Sequence, residues 1–406
     1  MPNSSRIDRR WLVAAGALAL ATPALAQAPA EAGQTRFRDI YKELIETDTS
    51  LSNRDCTLAA NRMKARLTAA GYPDGQFRVV VAPNFPKQGN LVGEIAGSDP
   101  KAPAILLVAH IDVVEAKRSD WERDPFKLVE EKGYFFARGA IDDKAMAAIF
   151  IDSLIRYREE KYRPRRTLKV ALTCGEETDA NFDGVEYLLA TEPNTLKAGF
   201  AINEGGKGWL DDQGKPRTFG VQAGEKIYQD FKLVTTGPGG HSARPHANNP
   251  ISRLAEALAR IGRYRFPAAP GEVTRNFFAR STALYPGEKG EAMRVAGTGK
   301  DDAVALDLLS AADPVWNAMI RTTCINTLVT GGHAPNAVPQ RAEANVNCRI
   351  LPGTSIETIR KALADAISDP AIELTLADAP GPVSPPPPIT PAIMAPIEKL
   401  AAEMWP

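Results

Sequence analysis

Histidine is scarce in this chain, with four in 406 residues, so few positions can hold a transition metal through nitrogen and each can be weighed singly. Cysteine is equally scarce: Cys56, Cys174, Cys324 and Cys348. No Cys-x-x-Cys pair occurs, which excludes a cysteine zinc cluster. Four cysteines leave three full pairings open, and the reading favoured here is four small buried thiols. Net charge is absent as well, Lys plus Arg and Asp plus Glu both being 49. That balance removes the electrostatic case for nucleic acid or an acidic membrane surface. No Gly-x-Ser-x-Gly is present, so the strand-to-helix elbow of a serine hydrolase is missing. Gly299-Lys300 resembles a phosphate loop, but Asp301 stands where Ser or Thr is needed and Arg294 where the first Gly is needed. The longest apolar run, Trp11 to Ala26, has 16 residues, short of the roughly 20 that span a bilayer.

What is present is ordinary globular material, 44% apolar and 24% charged. At roughly 100–200 residues per domain the length implies two or three domains. Arg6, Arg9 and Arg10 precede the apolar run, which closes on Ala24-Leu25-Ala26. Positive start, short apolar run and small-residue end form a secretory signal over residues 1–26. Arg9-Arg10 before Trp11-Leu12-Val13 adds a partial twin-arginine signal. The expected location is periplasmic or secreted.

Apolar spacing of three and four predicts a helix over 37–71, stopped by Gly71. Strands are expected at 77–82 and 91–96. Ala104 to Ala109 is an unbroken apolar run ending at His110, a strand buried on both faces. A helix over 144–160, a strand over 167–173, a helix over 183–191 and a strand over 200–203 complete an alternating α/β pattern. Beyond residue 226 the order becomes β-α-β-β-α-β: strands at 226–236, 320–330, 342–350 and 372–376, helices at 250–263 and 356–367. That split βαβ arrangement makes a four-stranded antiparallel sheet with two helices on one face. Residues 267–315 interrupt it as a helical insertion. Residues 381–391 carry six prolines and read as an extended linker before a helix over 392–404.

Four polar features fall at strand ends or a helix start. His110 closes a strand, and Asp112, two residues on, points to the same face and can orient the imidazole as a metal ligand. Asp142-Asp143-Lys144 opens a helix, Glu176-Glu177 follows a strand, and Glu204 lies in Asn203-Glu204-Gly205-Gly206. Taken singly, each has a plain structural reading: a satisfied histidine, a helix cap, a solvated acidic pair. Together they sit where ligand sites of α/β sheets lie and suit a pair of divalent metals bridged by one carboxylate. The adjacent Glu176 and Glu177 offer a base and a ligand. His246 and His333 read as loop residues.

These stretches resemble the zinc aminoacylase/carboxypeptidase family of metallopeptidases, which includes carnosine dipeptidases, glutamate carboxypeptidase and acetylornithine deacetylase. The resemblance extends to Gly237-Pro238-Gly239-Gly240-His241-Ser242, Asn336-Ala337-Val338-Pro339 and Arg349-Ile350-Leu351-Pro352-Gly353. It implies a three-layer α/β catalytic domain whose first part is 37–222. It also implies an inserted ferredoxin-like lid and dimerisation domain at 223–380, and a returning, incomplete catalytic segment at 381–406. The implied roles are His110 and Glu204 on the first metal, Glu177 on the second, Asp142 bridging, Asp112 orienting His110 and Glu176 as general base. His241 would polarise the scissile carbonyl; Arg349 and Asn336 would hold the substrate's carboxylate or carbonyl. The Asp142–Asp143 peptide would be cis. Two metal ions are expected, with zinc the expected element. The substrate would be a small peptide or acyl-amino acid, and the assembly a homodimer through the lid. Relatives have one more ligand, a His after the lid, and no His follows His333. The second metal is then left with Asp142 and Glu177, and the alternative to a hydrolase is a metal-poor, binding-only remnant.

Overall fold

The computed structural model describes residues 32–405 except 54, 178–181, 245–246, 301, 381–384 and 386–387. The predicted signal, His246 and most of the proline-rich linker lie outside the described residues. No described helix is long and apolar enough to cross a membrane. The chain divides into two units, one ending at Glu204 and the other beginning at Gly205. The hairpin between Glu204 and the expected boundary after 222 groups with the second unit.

The first unit opens with α1 (Ala32–Ile45) and α2 (Cys56–Ala69). Sequence spacing predicted one helix here, and the structure breaks it. Asp48 accepts from Ser50 N and Ser50 Oγ, the local bonding by which such residues favour turns over helix. The freed segment runs beside residues 111–113, with Thr49 Oγ1 donating to the Ile111 carbonyl at 2.6 Å and Ser50 bridging Val113. Then follow β1 (Phe77–Val80), β2 (Asn90–Ile95), β3 (Ile105–His110), the hairpin β4 (Val129–Glu131) and β5 (Tyr134–Phe136), and α3 (Lys144–Glu159). β6 (Leu168–Thr173), α4 (Gly184–Thr191), α5 (Pro193–Leu196) and β7 (Phe200–Ile202) complete the unit. The sheet order is β1-β2-β6-β3-β7, with β3 parallel to both β6 and β7.

Strand alternation sorts side chains onto two faces. Leu91, Leu107, Ala109, Val170 and Leu172 meet α1, α2 and α3. Val92, Leu106 and Ala171 meet Leu188 of α4 and Leu196 of α5. Helices therefore cover both faces of the sheet, as the three-layer expectation required.

The second unit begins with the hairpin β8 (Lys207–Leu210) and β9 (Pro216–Gly220), then β10 (Ile227–Thr236), β11 (Gly240–His241) and α6 (Pro250–Arg263). The helical insertion is α7 (Glu272–Ser281), α8 (Glu288–Gly297), α9 (Ala303–Ala312) and α10 (Pro314–Ile320), after which come β12 (Thr323–Gly331), β13 (Ala337–Val338), β14 (Arg341–Ile350), α11 (Ile356–Ile367), β15 (Glu373–Leu376) and α12 (Pro391–Met404). The four-stranded sheet has the order β12-β14-β10-β15, antiparallel throughout. One face packs Phe231, Leu233, Ala344 and Val346 against Leu254 and Ile261 of α6 and Ile359 and Leu363 of α11. This is the expected βαββαβ sheet. The insertion builds a core of its own around Phe278, Met293, Leu309 and Trp316.

The cysteines are not free thiols. Cys56 pairs with Cys174 and Cys324 with Cys348. The fold brings their Cα atoms to 6.1 Å and 4.1 Å, and no local pattern encodes that approach. Cys324 and Cys348 are register partners on β12 and β14. Cys56–Cys174 ties the start of α2 to the end of β6 across 118 residues. Closing a loop of that size restricts the unfolded chain by about 4–5 kcal/mol in the chain-entropy treatment. The double variant Cys56→Ser/Cys174→Ser should therefore lose stability on that scale in chemical denaturation, whereas a denaturation midpoint like the parent's would contradict that role.

Candidate metal centre

Parallel pairing puts the C-terminal ends of β3, β6 and β7 at one edge of the sheet. His110 ends β3, Glu176 and Glu177 follow β6, and Glu204 follows β7. Asp142 and Asp143 lead into α3 through a cis peptide bond. Gly175 makes the turn after β6 possible, with φ at +100° and the Phe182 carbonyl 2.1 Å from where a Cβ would lie.

His110 is 3% exposed. Its Nε2 lies 2.8 Å from Asp142 Oδ1 and 3.5 Å from Glu204 Oε2. Its Nδ1 lies 3.0 Å from the backbone carbonyl oxygen of Asp112. A carbonyl only accepts, so Nδ1 carries a proton and Nε2 is the nitrogen left for a metal. The Asp112 carboxylate faces the imidazole, its Oδ1 3.6 Å from Nδ1. It also accepts from the backbone N–H of Glu176 at 3.3 Å and of Glu177 at 2.9 Å. Asp112 thus joins the end of β3 to the two glutamates. Two ligand sets result, His110 with Asp142 and Glu177, and His110 with Glu176 and Glu204, each with its ligand atoms within 4.8 Å of one another.

The electrostatics describe crowded negative charge. Burial pushes the Asp143 carboxyl up to about 7, with Glu204 and Asp142 adding to the rise. Burial and the Asp142 charge raise Glu177; burial, Asp142 and Glu176 raise Glu204. Burial works to lower His110, yet Asp112, Asp142 and Glu204 carry it up to about 10. One buried oxygen, Asp143 Oδ2, has no hydrogen-bond partner. Imidazole nitrogen, clustered carboxylates and this uncompensated charge fit divalent cations.

Sequence reading passed over Lys144 as a helix opener. It is fully buried, and its Nζ donates to the Thr47 carbonyl at 2.8 Å. Burial pushes it down to about 7 against the pull of Asp48 and Asp112. An Asp-Asp-Lys run carries no signal separating a buried lysine from a surface one, since a long side chain usually reaches water.

In the second unit the structure brings two predicted residues together and leaves a third apart. β11 pairs with β13, setting His241 opposite Ala337, and Ser242 N donates to the Asn336 carbonyl at 3.0 Å. His241 Nδ1 accepts from Ala243 N at 3.1 Å, so neutral His241 carries its proton on Nε2 and can donate there. Arg349 lies near the far end of β14 from Arg341, on the order of 27 Å along the strand at about 3.4 Å per residue. There its guanidinium stacks 4.6 Å over the Tyr228 ring.

Residues 106–405 match the sequence family described as Peptidase family M20/M25/M40. The chain belongs to this family. Among M20 relatives, the mouse (Mus musculus) N-fatty-acyl-amino acid synthase/hydrolase PM20D1 is 26% identical over 69% of this chain and 56% of its own length. A probable carboxypeptidase S-like 2 of Dictyostelium discoideum is 28% identical over 70% of this chain and 55% of its own. The chain thus spans little more than half the length of these relatives. Among solved structures, the M20 family metallo-carboxypeptidase Sso-CP2 from Sulfolobus solfataricus shares the fold with a TM-score of 0.58 at 20% identity, covering 85% of this chain and 78% of that one.

Proposed function

We propose that this M20 chain carries the machinery of a metal-dependent hydrolase of amide bonds in N-acyl amino acids or small peptides. The observation that carries the proposal is the buried His110 Nε2 facing Asp142 and Glu204, with Glu177 beside His110 and Asp142, and Glu176 beside His110 and Glu204 where a base would stand. The names of the mouse and Dictyostelium relatives favour acyl-amino acids and peptides as substrates. His110, Asp142, Glu177 and Glu204 would hold two divalent ions, zinc by ligand type. Such ions, when bound, supply an activated water and polarise a carbonyl.

The chain's own residues do the rest. Glu176 takes the proton from the attacking water and returns it to the leaving amine. Asp112 holds the Glu176 and Glu177 backbone in place. His241 donates from Nε2 to the carbonyl oxygen as charge develops there, with Asn336 beside it. Arg349 binds the substrate's carboxylate through two parallel N–H groups. The test is hydrolysis of N-acyl amino acids and dipeptides by zinc-loaded protein with and without chelator. Turnover abolished by chelator and restored by zinc is expected; turnover indifferent to chelator would sink the metal reading.

Two further readings belong here. The placement of Arg349 near the far end of β14 from Arg341, with Asn336 before β13, favours a homodimer in which a second copy supplies one of them. The edge strand β12 supports this, with Ile325, Leu328 and Val329 each about two-thirds exposed, an apolar edge open to pairing. Wild-type protein is expected to sediment as a dimer and Leu328→Lys/Val329→Asp as a monomer; a wild-type monomer contradicts it. Export from the cytoplasm is supported by the signal-like start and by the two disulfides, which persist in oxidising compartments.

A further inference from the structure

An open groove of about 670 Å³ lies in the second unit beside the His241 and Asn336 pair. Ser242, which follows His241, and Ala337 and Val338, which follow Asn336, line it together with Ile251, His333 and Pro335. Ile251 sits in the first turn of α6, so the groove runs between that turn and the loop joining β12 to β13. Its volume is within the roughly 300–1,000 Å³ of ligand sites.

Two properties of the lining decide what it can take. Among the described residues it holds no Lys, Arg, Asp or Glu. A carboxylate-bearing group would enter without a cation to meet it, and burying an unpaired charge is strongly unfavourable. The one residue chosen for carboxylate recognition, Arg349, lies at the other end of β14. The lining is Ile251 and Val338 side chains, two proline rings, two alanine methyls and the Gly331-Gly332 backbone, with Ser242, Asn249 and His333 as polar points, and its apolar part gains by covering hydrocarbon.

We infer that this groove receives the apolar acyl half of the substrate, the alkyl chain or side chain attached to the carbonyl carbon, and not the amine half that carries the carboxylate. The inference rests on the proposed hydrolase reading, in which His241 and Asn336 hold that same carbonyl. Both groups bonded to the carbonyl carbon, the acyl carbon and the amide nitrogen, leave it next to those residues, and the lack of a Lys or Arg in the groove assigns it to the half without a carboxylate. Ile251 is then a specificity-determining residue.

The test compares zinc-loaded wild type with Ile251→Trp, which fills the groove from a partly exposed position that tolerates bulk, and with Val304→Trp on α9, 79% exposed and outside the groove. Two substrate series are used: N-acetyl to N-decanoyl chains on one amino acid, and one N-acetyl group on amino acids of increasing size. The ratio of kcat/KM for decanoyl to acetyl is expected to fall at least tenfold in Ile251→Trp and to stay at the wild-type value in Val304→Trp. Amino-acid preference should keep its wild-type pattern in both. A shift in amino-acid preference with the acyl ratio intact overturns the inference by placing the amine half in the groove; wild-type ratios in both series overturn it outright. Binding of a non-hydrolysable ketone analogue of N-decanoylglycine, with CH2 in place of the amide NH, separates the two readings. Tenfold weaker binding by Ile251→Trp, with no turnover by wild type, supports the groove while the hydrolase reading falls. Equal binding by both proteins removes the groove.

Discussion

Glu176→Gln is expected to lower kcat on N-acyl amino acids or dipeptides by about 10³-fold, within the 10²–10⁴ that a positioned general base contributes. Metal content should match the wild type, and KM should move only a few-fold. Glutamine keeps the shape of glutamate and can still hydrogen-bond, but it cannot take a proton from water. Glu176 and Glu177 are neighbours held by one carboxylate, Asp112, so a general disturbance of this loop would affect both. The informative comparison is therefore with Glu177→Gln, which should lose bound metal together with activity. Metal analysis and steady-state kinetics on both variants check the assignment. If Glu176→Gln loses metal and Glu177→Gln loses only turnover, the two roles are exchanged; wild-type turnover in Glu176→Gln removes it as the base.

The second large effect is on pH. Although burial opposes it, the carboxylates around His110 carry its pKa up to about 10 in the metal-free protein. A histidine raised in the folded state adds stability that is fully present below its unfolded value, about 6.5. That stability is lost as pH rises through about 10. A metal needs the neutral imidazole, so binding must expel that proton. Apparent zinc affinity should thus climb by about tenfold per pH unit between roughly pH 7 and 9 for one proton displaced. The raised carboxyls of Glu177 and Glu204 make the slope steeper toward acid. Calorimetric titrations in buffers of different ionisation enthalpy read the released protons directly. Binding with no proton release and no pH dependence would mean that the metal does not displace the His110 proton.

Much of this was legible because local pattern and chemistry coincided. The run ending at His110 could only be a buried strand, and the acids that mattered stood at strand ends or a helix start, where an α/β sheet gathers them. The amphipathic helix over Pro250–Arg263 and the β-α-β-β-α-β order likewise carried their own periodicity. What escaped the sequence depends on long-range register. Cys324 and Cys348 meet because two strands pair in one register, and Cys56 reaches Cys174 because α2 lies on the sheet; neither approach leaves a trace in spacing. The helix expected over 37–71 broke because Asp48 and Ser50 bond locally where apolar spacing alone would continue the helix. Asp112 was placed on the correct side of the strand, facing His110, and its carboxylate also serves the amides of Glu176 and Glu177, which no i, i+2 rule could name. Arg349 and Asn336 are close in sequence, yet β14 carries one away from the other.

One measurement bears on the site most directly: crystals soaked in zinc, with anomalous diffraction recorded at the zinc edge. Peaks are expected at about 2.0–2.2 Å from His110 Nε2 and from the carboxylates of Asp142, Glu204 and Glu177, with Asp142 shared between two of them. Zinc-saturated crystals with no anomalous peak beside His110 and Asp142 would contradict the metal centre and, with it, the hydrolase built upon it.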